Sequence, residues 1–317
     1  MVGCYVGLHV PAKKIHYLEP DVHNTNHSRP NVAVLLIIVS IGFISVVDAT
    51  CKAFTDELHA VQLVWGYFIG IFVTLSLYFI IRQQPLSTLF KTSRPILQWM
   101  RGGFLAGSIM SLFVGLTFLP LAEATAIGFM APLFITGLAI PLLGERISTH
   151  RWLAVIAGLI GVCIIVRPGS GLWQWASAMP LIGAVCFALY QITTRMLTAT
   201  ENTHSIVFYT GLTGAIWSSI AVVFFWRTPQ LTHWGVFFGT GILGAAAHLC
   251  LVNSFRLAQA SLLAPFNYTK LLWVSILGFL LFDDMPTINT LLGSIVIMVA
   301  GLYVLYRESW APTSLAE

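Results

Sequence analysis

Lys270 is the residue whose chemistry is most out of place in this chain. It lies in a run, residues 257–281, that carries no other charged side chain. It stands about ten residues, roughly 15 Å at the helical rise, from either end of that run. An ionisable group at such depth is costly unless paired or hydrated, and marks a pathway by default. Asn267, three residues earlier, falls on about the same helical face. Two roles are open to Lys270. With Asn267 it could line a central cavity and hold a carboxylate or another electron-rich group. Alternatively it makes a structural ion pair, with Asp48 the foremost partner.

Few other residues offer chemistry. Asp48 precedes Lys52 by four positions, a spacing that lets the two pair along one helix face or merely anchor a helix end. His248 lies within an apolar run, where it could relay protons or hydrogen-bond a substrate, or else bond a neighbouring helix. Asn253, just over a turn further on, has the same ambiguity. Trp65, Tyr190, Tyr268 and Trp273 sit inside apolar runs, where an aromatic ring either packs or stacks on a flat ligand. Pro132 and Pro265 interrupt two runs and are candidate kinks or gates. No Walker loop, GxSxG, HExxH or dinucleotide fingerprint occurs, so neither an enzyme nor direct use of ATP is expected. Five scattered cysteines and four N-terminal histidines match no metal-ligand spacing. No cofactor or metal is expected.

The elements that must position these residues follow from composition. Hydrophobic residues make up 57% of the 317 and charged residues 9%, against about 25% charged in a soluble domain. Mean hydropathy is +0.84. Such a chain is solvated by lipid. The net charge of +4 comes from sparse basic residues between apolar runs, which argues against nucleic acid as a partner. Ten runs are long enough to cross a bilayer as helices: residues 32–52, 60–81, 97–119, 122–143, 151–167, 175–197, 204–226, 234–255, 260–281 and 287–306. With the N-terminus inside, twelve lysines and arginines fall on the cytoplasmic side, Arg101 among them; Lys52, Arg167 and Arg227 fall opposite, and Lys270 is left within a helix. That bias predicts both termini in the cytoplasm.

The halves repeat. LAEAT (residues 121–125) and LAQAS (257–261) each open a run, and each run ends near acid, Glu145 in one and Asp283–Asp284 in the other. Gln191 and Arg195 match Asp48 and Lys52 by position. The expected organisation is a polar tail (1–30), two five-helix repeats (31–170 and 171–307) and a short C-terminal tail (308–317). Five is odd, so the second repeat enters the membrane upside-down, as in many secondary transporters.

At LAEATAIGFMAPLFITGLAIPLLGERISTHRW (121–152) and AAAHLCLVNSFRLAQASLLAPFNYTKLLW (245–273) the chain resembles the drug/metabolite transporter superfamily, EamA type. DATCKAF (48–54) and KTSRP (91–95) are most similar to bacterial members for S-adenosylmethionine and riboflavin. The resemblance implies an all-α, ten-helix protein of a bacterial inner membrane. It implies alternating access for a small polar metabolite: riboflavin, S-adenosylmethionine, an amino acid, or, outward, an opine-like metallophore. A coupling proton or a counter-substrate would be its other partner. A non-transporting membrane enzyme or scaffold is the rival, for which clustered acids or a simpler architecture would be wanted.

Overall fold

The computed structural model describes residues 29–55, 57–116, 127–166, 178–282 and 288–310. Their secondary structure is helical throughout, with no strand among the described residues. The helices are α1 (Pro30–Ala53), α2 (Ala60–Ile81), α3 (Ser87–Phe90), α4 (Pro95–Leu116), α5 (Ala131–Leu143), α6 (Thr149–Val166), α7 (Ala178–Thr198), α8 (Thr203–Val222), α9 (Leu231–Leu257), α10 (Ala260–Leu263), α11 (Lys270–Phe282) and α12 (Ile288–Trp310). Among the described residues, six stretches are long and apolar enough to cross a membrane: Pro30–Ala53, Ala60–Ile81, Ala178–Thr198, Thr203–Phe225, Leu231–Leu257 and Ala260–Leu281. Shorter apolar helices accompany them. Large apolar side chains stand exposed on the outside, including Leu35, Ile96, Ile220, Phe224 and Leu231. In water that surface would be a liability; against acyl chains it is the solvent-facing surface. LAEAT, the Asp283–Asp284 pair and both tails as far as residue 28 and from 311 lie outside the described residues.

Local chemistry sets the breaks. Pro30 occupies the first turn of α1, where its missing N–H costs no bond. Asn202 caps α8 by accepting from the His204 N–H at 2.9 Å. Gln230 and His233 cap α9 reciprocally. Gly144 ends α5 at φ 67°, a left-handed conformation that favours glycine.

The two prolines expected as kinks or gates stand at different kinds of break. Pro132 is in the first turn of α5, after a turn at Phe129–Met130, where its absent N–H is least missed. Pro265 lies within the continuous helical stretch Ala260–Leu281, where the helix tightens to 3-10 over Ala264–Thr269 between α10 and α11.

α1 packs on α9, and α4 packs on α7. α2 lies against both α8 and α9, and α4 also against α8. α5 meets α7, α11 meets α1, and α12 meets α6. The α2–α9 crossing is backbone on backbone: a Cβ added at Gly70 would fall 2.3 Å from the Phe237 carbonyl oxygen and 2.7 Å from the Gly241 Cα. Small residues at this crossing are what bring Tyr67 of α2 within reach of His248 of α9.

Candidate functional site: a paired lysine beside a buried arginine network

Lys270 is not alone. Its Nζ lies 2.8 Å from Asp48 Oδ2, joining the start of α11 to α1. Of the two roles open to Lys270, the ion pair with Asp48 is the one observed. The pair is not sealed, however. The side chains are 39% and 45% exposed, so each keeps a face open to an adjoining space. Trp273, one turn along α11, lays its indole on Gly42 of α1, which has no side chain to displace it. Lys52 is exposed one turn beyond Asp48, in the last turn of α1.

Asn267 belongs to a different contact. Gln191 Nε2 donates to Asn267 Oδ1 at 2.8 Å, and Asn267 Nδ2 returns a bond to Gln191 Oε1 at 3.3 Å. The single polar stripe expected of Asn267 and Lys270 is therefore split between two partners: Asn267 bonds Gln191 of α7 and Lys270 bonds Asp48 of α1.

The structure adds a residue that sequence reasoning placed elsewhere. Arg101, counted among the cytoplasmic cations, is fully buried in α4. Nε donates to Thr194 Oγ1 at 2.7 Å; one terminal nitrogen donates to the Ile206 carbonyl at 2.9 Å and to Thr210 Oγ1 at 2.6 Å; the other reaches Tyr190 Oη at 3.3 Å. The guanidinium carbon is also 4.8 Å from the centroid of the Tyr190 ring. Among the described residues no carboxylate pairs with it, so hydroxyl and carbonyl dipoles, with the π-face of Tyr190, solvate the charge.

His248 extends that network. Tyr190 Oη lies 2.8 Å from its Nδ1, and Tyr67 Oη lies 2.8 Å from its Nε2. Arginine can only donate, so Tyr190 accepts from Arg101, which leaves its own proton available to Nδ1; we assign it there. The proton of the neutral imidazole is then on Nε2, donated to Tyr67. The order Arg101, Tyr190, His248, Tyr67 is thus directional. In this structure His248 hydrogen-bonds two other helices, α7 through Tyr190 and α2 through Tyr67. Like the Asp48–Lys270 pair, this network joins the two halves of the chain, taking Tyr67 and Arg101 from the first and Tyr190 and His248 from the second.

The other candidates make contacts of their own. Trp65 donates from Nε1 to Ser219 Oγ at 3.0 Å and meets Trp226 edge-on. Tyr268 is fully buried, with its ring against Gly158 and Phe129 and no hydrogen-bond partner for its hydroxyl. Both rings pack against residues far away in the sequence. Asn253 accepts from Thr203 Oγ1 at 3.2 Å and borders a polar pocket with Glu201, His204 and Arg256. Arg195 donates to the Phe255 carbonyl.

Carboxylates tie the helix ends together. Glu201 accepts from the N–H groups of Ser93 and Arg94 and from the Ser93 hydroxyl. Glu145 accepts from the N–H groups of Ala260 and Ser261 and from the Ser261 hydroxyl. Glu57 meets His233 Nε2 at 2.7 Å, at the start of α9.

Apolar helices with exposed outer faces and buried polar side chains suit a multi-pass membrane protein. The chain belongs to the EamA-like transporter family, whose pattern matches it twice, at residues 31–167 and 174–307. It is 28% identical over 281 residues to the S-adenosylmethionine uptake transporter of Rickettsia bellii, covering 89% of this chain and 96% of that one. The riboflavin transporter of Brucella anthropi is 28% identical over 251 residues, 77% of this chain and 87% of its own. The pseudopaline exporter of Pseudomonas aeruginosa is 26% identical over 272 residues, 84% of this chain and 93% of its own. A solved crystal structure superposes with a TM-score of 0.74 at 18% identity, over 88% of this chain and 98% of that one. It shares the fold.

Proposed function

We propose that this protein is a secondary transporter that carries a small polar metabolite across the bacterial inner membrane by alternating access. It would do so as two inverted five-helix repeats, residues 31–170 and 171–307, with both termini in the cytoplasm. The observation that carries the proposal is the accessible Asp48–Lys270 pair between two apolar helices. A bilayer-spanning scaffold has no use for exposed charges there, whereas a carrier needs polar groups that meet its cargo.

The helix contacts favour the repeat. If α1, α2, α4 and α5 correspond to α7, α8, α9 and the α10–α11 span, then α1 on α9 answers to α7 on α4. By the same rule α2 on α9 answers to α8 on α4, and α5 on α7 to α11 on α1. The end contacts follow it too: Glu57 on the start of α9 answers to Glu201 on the start of α4. Five crossings per repeat would put those two contacts on opposite faces of the membrane. Each would close one end, and rocking of the repeats would break them in turn.

Reconstitution tests this directly. Purified protein in sealed liposomes should accumulate at least one of labelled S-adenosylmethionine, riboflavin and methionine saturably. Reporter tags at the two ends should both be reached from the cytoplasmic face. Absence of saturable uptake for all three, or tags on opposite faces, would count against it.

A further inference from the structure

We infer that the Asp48–Lys270 pair recognises an α-amino-acid group, with the carboxylate of the cargo on Lys270 and its ammonium on Asp48. This rests on the carrier proposal and narrows its substrate class.

The geometry has three parts. First, the two charges are opposite and in contact at 2.8 Å, so a ligand that engages both must carry its own opposite charges close together. An ammonium and a carboxylate separated by one carbon meet that requirement. Second, each side chain is 39–45% exposed. An incoming zwitterion can therefore approach the pair without a prior rearrangement of the core. Third, Trp273 follows Lys270 by one turn of α11 and packs on Gly42 of α1, the helix that carries Asp48, so an aromatic ring stands between the same two helices as the pair.

Electrostatics gives the pairing its use. In a site of low dielectric an isolated ammonium or carboxylate is costly, and the contact offsets that cost while the site is empty. A zwitterion that inserts between the two leaves each charge paired with a new partner. The site is then close to neutral both empty and loaded, as a carrier that must return empty or exchange requires. A ligand bearing only a carboxylate would strip Lys270 from Asp48 and leave the aspartate unpaired. A neutral flat ligand would gain nothing from the pair.

Competition in reconstituted vesicles tests this on the native protein. Uptake of labelled S-adenosylmethionine should be inhibited by S-adenosylhomocysteine, which keeps the amino-acid group. Methylthioadenosine, which lacks that group, should inhibit at least tenfold less well. Lys270→Gln and Asp48→Asn should each erase the tenfold preference, and Lys270→Arg should keep part of it. Equal inhibition by the two compounds overturns the assignment, as does a preference that survives in both variants. Saturable uptake of riboflavin without uptake of S-adenosylmethionine or methionine also overturns it, while leaving the carrier proposal intact. No saturable uptake of any of the three removes both.

Discussion

The Glu145 carboxylate, in the turn after α5, is bonded to the backbone N–H and hydroxyl of Ser261 at the opening of α10. The acid that closes a helix in the first half of the chain thus caps a helix in the second. This gives a physical reason for an acidic residue at the end of one run and LAxA[ST] at the start of another. The helix start leaves N–H groups unpaired, and a carboxylate from the first half of the chain satisfies two of them.

Glu145→Ala should therefore destabilise the protein by about 1–3 kcal/mol, the cost of leaving buried donors unsatisfied. Ser261→Ala, which loses only the hydroxyl bond, should cost less. Thermal unfolding in detergent measures both. An unchanged midpoint in Glu145→Ala would mean that the cap contributes nothing.

Arg101 is held by a fork of bonds to Thr194, Thr210, Tyr190 and the Ile206 carbonyl. A lysine cannot reproduce that planar geometry. Arg101→Lys should cost about 2 kcal/mol or more, since each hydrogen bond to a charged group contributes about 1.5–3 kcal/mol. Stability equal to wild type would show that the fork is dispensable.

The direction of the network fixes the tautomer of His248. Nitrogen-15 resonances of labelled protein should show Nε2 protonated and Nδ1 bare. In Tyr190→Phe the donor to Nδ1 is lost and the preference should weaken. A proton on Nδ1 in the wild type would reverse the assigned order of donors.

Gln98, one turn before Arg101 in α4, is fully buried, and neither atom of its amide has a hydrogen-bond partner. Gln98→Leu should stabilise this conformation by about 1–3 kcal/mol. If transport requires a second conformation in which Gln98 finds a partner, the same variant should transport more slowly. A variant that is destabilised would mean the amide is satisfied in the folded protein.

How much of this was legible beforehand depends on where each signal resides. Helices and their breaks were readable because lipid demands continuous apolar runs, and glycine and proline punctuate them. Lys270 and Asp48 stood out because a charge in an apolar run has little reason to be there unless it is paired or used. Arg101 did not, because it lies seven residues into a helix from Pro95, close to where the positive-inside bias puts arginine anyway. Its burial is decided by Thr194 and Thr210, about a hundred positions away. Tyr190 and Tyr268 look alike as deep aromatics. Only tertiary packing turns one toward His248 and the other against Gly158. Pro132 begins α5 whereas Pro265 lies where a continuous helical stretch tightens to 3-10, and proline alone does not say which of the two it does.

Counterflow bears most directly on the central claim, that a cargo shuttles past the Asp48–Lys270 pair between two closed ends. Vesicles carrying the purified protein and preloaded with unlabelled S-adenosylmethionine should take up external label faster than empty vesicles. That acceleration should vanish when Asp48→Asn and Lys270→Gln are combined. Uptake that rises linearly with concentration and ignores the preload would describe a pore. Full acceleration in the doubly substituted protein would place the transported molecule somewhere other than this pair.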